Sequence, residues 1–167
     1  MASKRTPAAN TALGGVLAAL AVVVMSMGTL IPVATYVCPA ICMLILKAVV
    51  KSCGVRIGWA WYGAVAILSL LMAPDKEAAA VFAALGYYPI IKPGLDALKG
   101  KWLWKGLYFN GVILVLYWLL MHLLGMDQIS AEFAEMGRIL TVIMLVLGNV
   151  TFFMLDRLLG MKLKRRR

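Results

Sequence analysis

Three groups of residues place chemically capable side chains close together. Asp75, Lys76 and Glu77 stand side by side within "MAPDKEAAAVFAALGYYPIIKPG", residues 72–94. Tyr117 and Trp118 lie one helical turn before His122, and Glu135 stands three residues before Arg138. Between them they offer both charge signs, aromatic faces and an imidazole able to titrate near neutrality. Such a set suits a polar small molecule carrying a ring or a carboxylate. The other reading is that the charges solvate tight turns and that His122 sits at an interface. No phosphate-binding glycine loop, nucleophile–base pair or metal-ligand cluster accompanies them. The expectation is therefore a binding protein and not an enzyme, with no cofactor and no metal. Cys38 and Cys42 are one helical turn apart, but no His or carboxylate is near them in sequence, so they read as small buried side chains.

The elements that must carry these residues are apolar. Of 167 residues, 63% are hydrophobic and 14% charged, against about 45–50% and about 25% in soluble domains. Lipid must be the solvent for much of this surface. Apolar windows predict spans over 12–30, 36–50, 57–72, 78–91, 106–124 and 139–159, one transmembrane domain in all. The fourth is short, roughly 21 Å at about 1.5 Å per residue, and crosses only if the bilayer thins or neighbouring helices shield its ends.

Charge sets the count. With six spans, all of the 17 Lys and Arg except Lys76 and Arg138 fall on the side of both termini. Positive residues mark the cytoplasm, so both termini are expected inside. All seven acids except Asp96 and Asp156 then face out. Without the fourth span, the basic group 92–105 and the C-terminal "KLKRRR" would lie on opposite sides. The net charge of +10 is thus a topology signal and not a nucleic-acid footprint. The expected fold class is an all-α integral membrane protein, a bundle of six transmembrane helices in a bacterial-type plasma membrane. In this arrangement Lys92-Pro93-Gly94 stops the fourth span. Asn110 and Asn149 read as interhelical polar contacts.

The first span is rich in small residues: "ALGGVLAALAVVV" places Gly14 and Ala18, and likewise Gly15 and Ala19, four apart, with Ala8 and Ala12 on the same spacing. Such rows let helix backbones approach closely in lipid. They serve either packing within this chain or docking of another membrane protein.

A short basic N-terminal segment, a small-residue first helix, six spans and about 170 residues together resemble the substrate-binding S components of energy-coupling-factor (ECF) transporters. The resemblance covers nearly the whole chain as architecture. It implies a micronutrient pocket on the external half, bordered by the Asp75–Glu77 turn. It also implies that Gly14, Gly15, Ala18 and Ala19 contact a transmembrane T component, with ATPase subunits driving release inward. No signature assigns the small-molecule ligand. A rival from another class is a membrane scaffold or accessory subunit with no ligand. A small autonomous exporter is disfavoured by the lack of a carboxylate in mid-membrane.

Overall fold

The computed structural model describes residues 6–27, 34–122 and 127–161, with side chains omitted for Pro7, Ala34, 121–141 and Met144. Among the described residues every regular element is an α-helix: α1 Pro7–Ser26, α2 Ala34–Cys53, α3 Val55–Met72, α4 Lys76–Leu85, α5 Tyr88–Asp96, α6 Lys101–His122 and α7 Asp127–Gly160. Five described stretches are long and apolar enough to cross a membrane: Ala8–Ser26, Thr35–Cys53, Val55–Met72, Lys76–Asp96 and Lys101–Leu120. The architecture is that of a multi-pass membrane helical bundle. The chain divides into two compact units, Met1–Ala97 and Leu98–Arg167.

In the first unit α1, α2 and α3 pack on one another, α4 packs on α2 and α3, and α5 on α2 and α3. Its core is made of Ala21, Met25, Cys38, Cys42, Leu46, Val49, Trp61, Val65, Ala78, Ala79 and Phe82. Lipid chains are as apolar as leucine, so burial alone does not hold such helices together. Close van der Waals packing of small side chains does. Cys38 and Cys42 are free, buried thiols in this core, as their setting suggests.

Several helix ends differ from the hydropathy windows. α1 begins at Pro7, five residues before the apolar run, because Thr6 caps the Ala9 N–H (3.3 Å) and proline suits the first helical turn. α2 and α3 meet across Gly54 alone, at φ 96°, a conformation that favours glycine. The fourth span is two helices instead of one. Pro89 has no N–H to offer the Leu85 carbonyl, and its ring crowds that oxygen, so α4 ends before it and α5 restarts with proline in its first turn. Gly86, at the break, lies under the Phe82 ring: a Cβ there would come 2.7 Å from Cε2 and would crowd the Phe82 carbonyl oxygen. Lys92-Pro93-Gly94 does not stop the helix, which runs on to Asp96.

In the second unit α6 and α7 pair antiparallel. Phe109 stacks on Phe152 (4.6 Å, 17°) and Trp102 lies against Phe153 (5.3 Å). Helix α7 begins at Asp127, twelve residues ahead of the apolar window at 139. The segment "DQISAEFAEMGRIL" contains no proline to interrupt it. The 34 residues make a rod of about 51 Å, longer than a hydrocarbon core of about 30 Å.

Candidate functional site

The turn between α3 and α4 gathers the first charged group. Asp75 caps α4: its Oδ1 accepts the Ala78 N–H at 2.9 Å, while Oδ2 accepts the Thr35 hydroxyl from α2 at 2.7 Å. Glu77, in the first turn of α4, accepts the Tyr36 hydroxyl at 3.4 Å. Lys76 turns the other way and donates to the Leu70 and Leu71 carbonyls at the end of α3, at 2.9 and 3.3 Å. Helix ends leave N–H and C=O groups without intrahelical partners. Acids favour the positive N-terminal end and cations the negative C-terminal end. Each of the three charges meets one of these needs, and two of them also tie the turn to α2. Sequence reasoning found the trio but not Tyr36, whose partner is 41 residues away.

Two buried polar atoms on α3 have no hydrogen-bond partner among the described residues: Trp61 Nε1 and Ser69 Oγ. Both residues are buried, as is Val65 between them at the same helical phase, so the three share the face of α3 turned into the first unit's core. Buried polar groups almost always have partners, so this face, like the Asn10 Oδ1 on α1, holds hydrogen-bonding capacity in reserve among the described residues. At the other end of α3, Trp59 stacks on Tyr87 (6.2 Å, 23°) and Tyr62 stands edge-on to both, at 6.1 and 5.7 Å. The Tyr62 hydroxyl donates to the Ala83 carbonyl, one of the acceptors released where α4 ends.

The small-residue rows of α1 separate. Gly14 is buried and Ala18 half-buried, on the side that carries Ala21 and Met25 into the core. A Cβ on Gly14 would lie 3.4 Å from Ile57 of α3. Gly15 and Ala19 are exposed, together with Ala8 and Ala12, and a Cβ on Gly15 would meet nothing within 4 Å. One row packs the chain; the other is exposed among the described residues.

In the second unit Tyr117 is half-buried and Trp118 exposed on α6. His122 ends α6, and Glu135 and Arg138 lie in α7; their side chains are outside the described residues. Lys105 and Asp156 form a buried ion pair at 2.8 Å. Asn110 and Asn149 exchange two hydrogen bonds, at 2.9 and 3.0 Å, the interhelical role their sequence setting suggests. The ion pair was not foreseen, because Lys105 sits in a run of loop lysines and Asp156 is 51 residues away. Among the described residues no group of three His, Cys, Asp or Glu side chains is placed to hold a metal.

The chain matches no family model, no curated protein and no solved structure.

Proposed function

We propose that this chain is the membrane-embedded substrate-binding subunit of a micronutrient uptake system of the energy-coupling-factor type. It works in a bacterial-type plasma membrane with a T component and ATPase subunits. The observation that carries this reading is the exposed small-residue row of α1, Ala8, Ala12, Gly15 and Ala19. A lipid-facing helix gains nothing from glycine and alanine there, whereas a partner helix gains close backbone approach. The unpartnered Trp61 Nε1 and Ser69 Oγ supply the ligand side of the proposal: a polar nutrient entering the first unit's core finds a donor and a hydroxyl on one face of α3. Six spans with both termini inside complete the reading, on the strength of the charge distribution.

The test is affinity purification from a native membrane, followed by mass spectrometry of co-purifying proteins and of small molecules released on denaturation. A T protein with ATPases and a stoichiometric polar metabolite are expected. Gly15→Leu or Ala19→Trp should remove the proteins from the complex while leaving the purified chain's melting temperature unchanged. A second reading, a scaffold without ligand, draws on the engagement of Asp75, Lys76 and Glu77 in helix capping, which gives that turn a sufficient structural purpose. Recovery of the chain with neither metabolite nor ATPases would select it.

A further inference from the structure

Helix register brings sulfur together in the core of the first unit. Cys42 donates its thiol to the Ala21 carbonyl of α1 at 3.5 Å, and Cys53 donates to the Asn10 carbonyl at 3.3 Å. From Cys42 to Cys53 is eleven residues forward on α2, and from Ala21 to Asn10 is eleven back on α1. The two helices are therefore antiparallel in a fixed register, and four residues the other way it sets Cys38 opposite Met25. Cys38 and Cys42 lie one turn apart on one side of α2, their Cβ atoms about 5–6 Å apart, and Ala21 and Met25 are spaced likewise on α1. All four belong to one core cluster, with Met25 and Cys42 wholly enclosed and Cys38 6% exposed. Helix α3 contributes at the same level. A Cβ on Gly58 would fall 2.6 Å from Val50 of α2, and one on Gly14 of α1 would fall 3.4 Å from Ile57. Carried along the helices, these contacts set Ser69 level with Pro39 and Ser26, the sequence neighbours of Cys38 and Met25. Ser69 is fully buried, and its hydroxyl has no hydrogen-bond partner among the described residues.

We propose that Met25, Cys38 and Cys42 form a binding site for a soft monovalent metal ion, copper(I), with the Ser69 hydroxyl supporting it. Thiolate and thioether sulfur favour copper(I) over harder cations. In sequence the two thiols lack a third donor. The fold supplies one from α1, a thioether on a flexible side chain that can adjust to the ion. Charge favours a monovalent ion, because a bare thiolate is costly in an apolar core. When copper(I) replaces one thiol proton, a copper–sulfur bond takes the place of the sulfur–hydrogen bond and the proton leaves to solvent. The net charge of the site and the oxidation state of the metal are unchanged, and the thioether and second thiol coordinate as neutral sulfur. The same exchange gives Ser69 a partner. A thiol sulfur is a weak acceptor, whereas a thiolate takes an O–H donor as a charge-assisted bond, and metal ligands are commonly held by such outer hydrogen bonds. Cys38, the ligand that keeps some exposure, is the point of entry. The site needs no partner protein and so stands apart from the uptake reading, although both use Ser69.

The full-length protein in neutral detergent, reduced and kept free of oxygen, can be titrated with copper(I) as its acetonitrile complex. Bicinchoninate serves as the chromogenic competitor, and thiolate-to-copper charge-transfer absorbance is followed in the ultraviolet. One ion per chain and that absorbance are expected, with zinc(II) unable to displace it. Cys38→Ser with Cys42→Ser should abolish binding. Met25→Leu and Ser69→Ala should each weaken it about ten-fold or more, and Cys53→Ser should leave it unchanged. Melting temperatures taken without metal separate a lost ligand from a lost fold, and Met25→Leu conserves the volume of the core. Absence of copper(I) binding in the folded parent, displacement by zinc(II), or binding that survives loss of both cysteines would overturn the proposal. So would an equal loss in Cys53→Ser, or unchanged affinity in Met25→Leu or Ser69→Ala.

Discussion

Asp75 holds two elements with one carboxylate, one oxygen for the α4 N-terminus and the other for Thr35 of α2. Asparagine keeps the oxygen that accepts the Ala78 N–H, is as good an N-cap, and can donate its amide N–H to the Thr35 hydroxyl in a reversed bond, whereas alanine removes both contacts. Asp75→Ala should therefore lower stability by about 1–2 kcal/mol, and Asp75→Asn by much less, read from thermal melts in detergent. Equal losses would mean that charge and not capping matters. The cap itself is legible in sequence, since an Asp precedes an alanine-rich helix. Its second partner is not, because a threonine 40 residues away carries no local mark. The Lys105–Asp156 pair makes the same point more strongly. Both side chains are almost fully enclosed, and removing one leaves an uncompensated buried charge. Lys105→Met or Asp156→Leu alone should cost about 3–5 kcal/mol, while the double variant should stand near the parent. A double variant as unstable as either single one would show that something other than their mutual neutralisation is lost.

Helix spacing in the sequence revealed that close packing was needed but not where each row faces. A rotation of one position along α1 separates Gly14, set against Ile57, from Gly15, set against nothing, and hydropathy is blind to that difference because both sides are apolar. The same ambiguity attends α3. A Cβ on Gly58 would fall 2.6 Å from Cγ2 of Val50, a short, stiff side chain, whereas one on Gly63 meets no atom within 4 Å. Gly58→Ala must push α2 from α3 just where Gly54 joins them, at a cost of about 1–3 kcal/mol. Gly63→Ala should be neutral or slightly stabilising, since alanine favours the helix by up to about 1 kcal/mol over glycine. Melting temperatures of the two variants, compared side by side, test the packing of α2 on α3; matching values would contradict it. The broken fourth span was likewise half-legible. Its two prolines stand in the sequence, which points to a stop at Pro93, where the helix continues, and not before Pro89, where the Leu85 carbonyl loses its donor. Proline marks a fault in a helix, and tertiary packing decides whether the chain bends through it or breaks.

For the whole molecule, the decisive quantity is the number of crossings between the basic residues. Hydropathy and charge alone identify a multi-pass helical protein, and the long apolar helices agree. Sidedness comes from charge alone, and it turns on the α4–α5 stretch, which is 21 residues long, Lys76–Asp96, and interrupted at its middle. If that stretch crosses, Pro74 and Lys99 lie on opposite faces of the membrane; if it folds back as a re-entrant pair, they share one. Half of its span is buried within the protein, and a break at Gly86 is tolerable at membrane depth where freed backbone groups find partners, as the Ala83 carbonyl does in the Tyr62 hydroxyl. Both probe positions are exposed, whereas Lys76 is engaged in capping α3. With Cys38, Cys42 and Cys53 replaced by alanine, Pro74→Cys should react with an impermeant maleimide from outside intact cells. Lys99→Cys should react only after the membrane is opened. Labelling of both from one side would remove the fourth crossing, set the two basic groups on opposite faces, and take with it the six-span topology on which the uptake proposal depends.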